Sequence, residues 1–186
     1  MMLLTFPVVA AVLTSKEAVE LVQRMVRKNK TLAIRTSFAI LGLFFQPHYL
    51  FMLDVKVKRG FGLGPRLLTL YFWVNALTGE VLRTKDLPEL TDSDVALDAY
   101  QGPLLTKNEA ETIAHRAALD YSIRWYRTFW LPDVSTKEWQ IVLLPYYLVE
   151  CTRSDGKILL EVNAFSGGIR TVKGDKVSPD LTEKHS

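Results

Sequence analysis

A single cysteine, Cys151, excludes an intrachain disulfide and leaves too few thiols for a zinc or iron–sulfur centre. Histidine is almost as scarce: His48, His115 and His185 are the only ones, and none falls at metal-ligand spacing with another. Asp92, Asp94 and Asp98 lie close together but lack the Asp-x-Asp-x-Asp-Gly order of a calcium loop. Charge of one sign is also scarce, since the net charge is +3; the chain is not driven toward nucleic acid, although a pI near 8.9 leaves that open. No apolar run reaches the ~20 residues that a membrane-crossing helix takes. The apolar N-terminus, residues 1–13, has its first basic residue, Lys16, after it, whereas a secretory leader carries positive charge in front. Leu3 to Val12 therefore reads as a buried strand, with a leader as the alternative.

What is present suffices for a core. The chain of 186 residues is 48% hydrophobic, 11% aromatic and 23% charged, which suits one medium domain or two small ones and argues against disorder. Its signals come in pairs. Thr14-Ser15-Lys16-Glu17-Ala18 is echoed by Thr106-Lys107-Asn108-Glu109-Ala110, and Asn75-Ala76-Leu77-Thr78-Gly79 by Asn163-Ala164-Phe165-Ser166-Gly167. Each echo follows roughly 90 residues later, the signature of an internal repeat.

Thr14 with Glu17 and Thr106 with Glu109 fit the capping box, so each copy opens with a helix. Ala18, Leu21, Val22, Met25 and Val26 form the apolar stripe of the first, and Ala110, Ile113, Ala114, Ala117 and Tyr121 that of the second. His48 to Lys58 alternates at strand period after Pro47, as Tyr146 to Thr152 does after Pro145. The prolines predict a strand start or bulge, because they cannot donate to a ladder. Hairpins follow, tight at Ser154–Lys157 and long at Arg59–Arg66, then closing strands and turns in which Gly79 and Gly167 take positive φ. The expectation is an α+β protein: two tandem helix-plus-antiparallel-sheet units packed as a pseudo-twofold pair, with shared burial or an actual homodimer covering the doubly apolar strand Leu67–Asn75. The units span 1–86 and 104–174, joined by a linker at 87–103 and followed by a flexible tail at 175–186.

The segments Phe72-Trp73-Val74-Asn75-Ala76-Leu77-Thr78-Gly79-Glu80-Val81 and Leu160-Glu161-Val162-Asn163-Ala164-Phe165-Ser166-Gly167-Gly168-Ile169, with the helix openings at Glu17-Ala18 and Glu109-Ala110, resemble the PepSY domain. That module occurs in peptidase propeptides and cell-envelope proteins. The resemblance implies a non-catalytic unit that binds or regulates proteins, in the envelope or secreted. It supplies no catalytic residue, metal ligand or cofactor. Asn in place of the usual Asp at 75 and 163, and Gly168 in place of Glu, depart from the pattern.

Candidate chemistry is thin. Cys151 sits in an alternating strand and reads as a small buried hydrophobe, not a nucleophile. The Gly60, Gly62 and Gly64 loop is no phosphate cradle, because neither Gly-Lys-Ser/Thr nor a helix follows. Lys56, Lys58, Arg59 and Arg66 crowd that hairpin without an acid nearby, and Arg124 and Arg127 flank Trp125 and Tyr126, close to Phe129 and Trp130. These six cations are the candidate contact residues for a partner or polyanion. The aromatics beside them read as filling a seam between the copies. The preferred expectation is a non-enzymatic protein-interaction or regulatory module without cofactors; the alternative is nucleic-acid or polyanion binding through the basic hairpin and the Arg/Trp end of the second helix.

Overall fold

The structure is a computed structural model and describes residues 3–28, 36–60, 62–85, 87–96, 102–127, 130–153 and 156–172. Its elements run β1 (Leu3–Val9), α1 (Ser15–Lys28), β2 (Ser37–Val57), β3 (Arg66–Asn75), β4 (Val81–Thr84), β5 (Leu90–Ala96), α2 (Lys107–Tyr126), β6 (Asp133–Arg153), β7 (Gly156–Asn163) and β8 (Ile169–Thr171). The expected α+β pair of tandem helix-plus-antiparallel-sheet units is overturned. Among the described residues the protein is mostly β, with 52% strand against 22% helix in two helices. Its strands join one mixed eight-stranded sheet in the order β4-β3-β2-β6-β1-β5, with β7 on β6 and β8 on β7. Pairing is antiparallel in the hairpins but parallel where β1 meets β6, at Val8 and Leu143. Leu90–Ala96, within the stretch read as a linker, is strand β5; the Thr5 hydroxyl donates to Asp94 over 2.6 Å there.

Two compact units can be drawn, and neither is a consecutive half of the chain. One comprises residues 1–8 and 46–143, the other 9–45 and 144–186. In the first, α2 covers β2 and β3. Tyr49, Phe51, Leu53, Val55 and Val57 present one strand face, Leu70, Phe72 and Val74 the matching face of β3, and Ala110, Ala114 and Ala118 the helix. Alanines at every fourth position keep that face of α2 flat, so its backbone can approach the sheet closely. In the second unit, α1 covers β6 and β7, with Ala18, Val22 and Val26 against Val149, Cys151, Leu160 and Val162. Each helix thus serves the hairpin of the other half of the sequence.

The turns show how each helix is seated. Gly79 and Gly167 take φ of 72° and 73° as the sequence predicts, and a Cβ on them would lie 3.4 Å from Ile113 Cδ1 and Leu21 Cδ1 respectively. Asn75 Oδ1 accepts from the N–H groups of Leu77 and Thr78, as Asn163 Oδ1 does from Phe165 and Ser166. The Ala76 carbonyl then accepts from Leu104 and Leu105, which lead straight into Thr106, the N-cap of α2. The Ala164 carbonyl accepts likewise from Val12 and Leu13, ahead of Thr14 and α1. Tyr49 donates to the Leu105 carbonyl and Tyr147 to that of Leu13, pinning each entry a second time. Bonds from the Thr14 and Thr106 N–H groups, and then from their hydroxyls, hold the Glu17 and Glu109 carboxyls below their ordinary pKa.

Pro47 and Pro145 do not begin strands. Each lies within a strand of 21 residues. The β2–β3 ladder ends at His48 and Asn75, so the missing N–H of Pro47 falls just beyond it, while its carbonyl accepts from Ala76 at 2.9 Å. Pro145 stands in the same relation to the Tyr146–Asn163 pair and to Ala164.

Candidate functional site

The basic hairpin takes shape where β2 and β3 part. Lys56 opposes Leu67 and Val57 opposes Arg66, after which the chain loops out. Gly62 takes φ of 69°, and the Arg59 Nε donates to the Gly64 carbonyl at 2.8 Å, folding the loop back on itself. The far side of the patch is the end of α2. Arg127 caps that helix in the left-handed region, at φ 45° and ψ 43°. The Arg66 guanidinium lies 4.8 Å from the Tyr126 ring centroid, and Arg83 lies 4.3 Å from that of Tyr121. A Cβ on Gly60 would sit 3.7 Å from the Trp130 ring. Two segments far apart in sequence therefore meet: the loop with Lys58, Arg59 and Arg66, and the helix end with Arg124 and Arg127. Lys56 is exposed one step down the ladder.

The aromatic residues beside these cations do not fill a seam. Trp125 is 68% exposed and Trp130 is 50% exposed. Only Tyr126 turns inward, against the core of α2 and β3. Phe129 lies outside the described residues. Leu63, Leu67 and Leu131 are also solvent-facing here. Strand β3 is covered on both faces only toward its end, where Trp73 is buried, whereas Leu67 at its start is 74% exposed.

A second surface escaped the sequence reading. Residues 37–45 of β2 precede the ladder with β3, which begins at His48. Strand β6 is the only other neighbour of β2, so among the described residues one edge of this segment carries no strand. Its side chains are Ser, Phe, Ala, Ile, Leu, Gly, Leu, Phe and Phe, and Ile40, Leu41 and Leu43 are exposed. The signal available in sequence was an apolar run holding no charge and no proline.

The remaining candidates resolve as structural parts. His48 is buried, with Nδ1 3.2 Å from the Gln46 carbonyl oxygen and its ring edge-on to Trp73. His115 Nε2 is 2.8 Å from the Thr136 hydroxyl, and His185 lies outside the described residues. Among the described residues, no three His, Cys, Asp or Glu side chains gather as a metal-binding group. Cys151 is buried among apolar side chains; that burial, and then the charge of Glu150, raises its thiol pKa above the usual value. It is expected to resist a disulfide-exchange reagent at pH 8, reacting at least about 100-fold more slowly than in denaturant. Equal rates in a thiol-release assay would contradict the buried placement.

Compared with family models, curated proteins and solved structures, the chain matches none.

Proposed function

We propose that this protein is a non-enzymatic interaction module that captures a protein partner as an extra strand along residues 37–45. The observation that carries the reading is the apolar edge that carries no strand among the described residues. A strand edge exposes a row of backbone donors and acceptors, and proteins normally protect it with lysine, proline, a bulge or a cover. None of the first two occurs between Ser37 and Phe45. An extended segment laid there would gain ladder bonds from the backbone, while Ile40, Leu41 and Leu43 would select alternating apolar side chains. Cys151 is no candidate nucleophile in this reading, since burial raises its thiol pKa. The resemblance of the two Asn-Ala-x-x-Gly segments to the PepSY domain points to protein binding as well.

The test is affinity capture from the native host with identification by mass spectrometry, comparing the wild type with a Leu41→Lys/Leu43→Lys variant. These two positions share one strand face, so the charges interrupt docking without a change of register. The wild type is expected to retain a defined partner at high salt, because the contact is mostly ladder bonds and apolar area. The variant is expected to lose it while keeping the wild-type melting temperature. Retention of the same partner by the variant, or a wild type that captures nothing specific, would refute the reading.

A further inference from the structure

We propose that the β2–β3 hairpin tip and the C-terminal end of α2 together form a docking surface for an anionic lipid bilayer. This surface shares no residue with the strand edge described above. Lys56, Lys58, Arg59, Arg66, Arg124 and Arg127 are all exposed, and neither contributing segment, 55–79 or 121–132, contains an aspartate or glutamate. Exposed Asp54, Asp120 and Asp133 stand just outside these segments, so the patch is net positive with acids at its rim. Contacts of Arg66 with Tyr126 and of Gly60 with Trp130 bring its two segments side by side. Among these cations stand Leu63 at 58%, Trp125 at 68% and Leu131 at 69% exposure, with Leu67 and Trp130 also in solvent.

This mixture decides the occupant. Cations alone, or cations with stacking aromatics, would suit nucleic acid. Exposed leucines gain nothing against a sugar–phosphate backbone. A lipid surface takes all three kinds at once: arginine and lysine meet anionic headgroups, tryptophan settles at the headgroup level, and leucine enters the acyl boundary. A soluble protein partner would have to offer acids around an apolar centre, whereas an anionic bilayer has that layering by construction. Among the described residues no helix is long and apolar enough to cross a membrane.

The experiment is co-sedimentation of the full chain with vesicles of phosphatidylcholine containing about one-third phosphatidylserine, and with pure phosphatidylcholine, each charge near the surface contributing about a fivefold factor in affinity. Wild-type protein is expected to bind the anionic vesicles and leave the neutral ones, with brominated lipid quenching its tryptophan fluorescence. A Lys58→Glu/Arg124→Glu variant should bind at least about 30-fold more weakly. A Leu63→Ser/Leu67→Ser variant, which keeps every charge, should also lose binding and lipid quenching. Circular dichroism melts verify that both variants remain folded. The proposal is overturned by absence of binding to anionic vesicles. It is equally overturned if the leucine variant binds as well as the wild type, or if a single-stranded oligonucleotide binds more tightly than the vesicles and depends on the same charges alone.

Discussion

Truncating Phe51 to alanine is expected to destabilise the protein by about 3–5 kcal/mol, the usual loss for a fully buried aromatic residue. The side chain has no exposed area, stacks on Tyr49 at 6.1 Å between centroids and faces Phe72 across the β2–β3 ladder. Its removal subtracts transfer free energy and leaves a cavity, because two strands and α2 fix the walls around it. Against a total stability on the order of 5–15 kcal/mol, the variant would sit near the limit of folding. Urea unfolding should show the midpoint falling sharply with little change in slope. Leu67→Ala is the control: the residue is on a neighbouring strand but largely in solvent, and about 0.5 kcal/mol or less is expected. If Phe51→Ala stayed within about 1 kcal/mol of wild type, the core assignment would be wrong.

Phe51 also illustrates what could be read in the sequence. Its strand alternates so regularly that burial of Tyr49, Phe51, Leu53, Val55 and Val57 follows from period alone, and the structure buries all five. The helix starts at Thr14 and Thr106 and the positive φ of Gly79 and Gly167 were legible for the same reason: each is written in a few adjacent residues. Pairing between distant segments was not. Both capping boxes and both Asn-Ala-x-x-Gly turns carry equivalent local signals, so nothing local says which helix goes with which hairpin. Proximity in sequence favours a helix on its own hairpin, and here the bonds from Leu105 to Ala76 and from Leu13 to Ala164 select the opposite choice. Pro47 and Pro145 concealed the length of β2 and β6, since a missing donor reads as a break unless the ladder is known to end there. The aspartates of β5 read as loop, yet Asp94 accepts from Thr5 and the Thr91 hydroxyl from β5 donates to the Val8 carbonyl.

At the candidate surfaces, charge was legible and exposure was not. The absence of acids between Lys56 and Arg66 is plain in the sequence, and so is the clustering of Arg124 and Arg127. Whether Trp125 and Trp130 are buried depends on what packs against the end of α2, which local pattern does not encode. The general tendency of aromatic residues to be buried gave the wrong answer there. Ile40 to Leu43 carried no signal of exposure, because an apolar run looks the same whether or not a strand lies beside it.

The helix-to-hairpin assignment gives the other large effect. Ala114 is fully buried in the cluster that also holds Phe51 and Phe72. An Ala114→Leu change inserts a branched side chain where α2 lies flat on the sheet, and should cost about 1–3 kcal/mol through overpacking. The informative measurement is the coupling. Combined with Phe72→Ala, which opens space in the same cluster, the leucine should regain part of that loss, giving an interaction free energy of about 0.5–3 kcal/mol in a double-mutant cycle. Val162 belongs to the other cluster, with α1, so its truncation to alanine should add to Ala114→Leu within about 0.5 kcal/mol. Had α2 lain on the hairpin that follows it in sequence, the pattern would reverse, and Val162→Ala would be the change that relieves the leucine. Urea unfolding of the two single-cluster and cross-cluster pairs separates these arrangements without reference to function. The outcome bears on function all the same: Arg124, Trp125 and Arg127 reach the basic hairpin because α2 crosses to β2 and β3, and with the opposite pairing the positive patch would come apart.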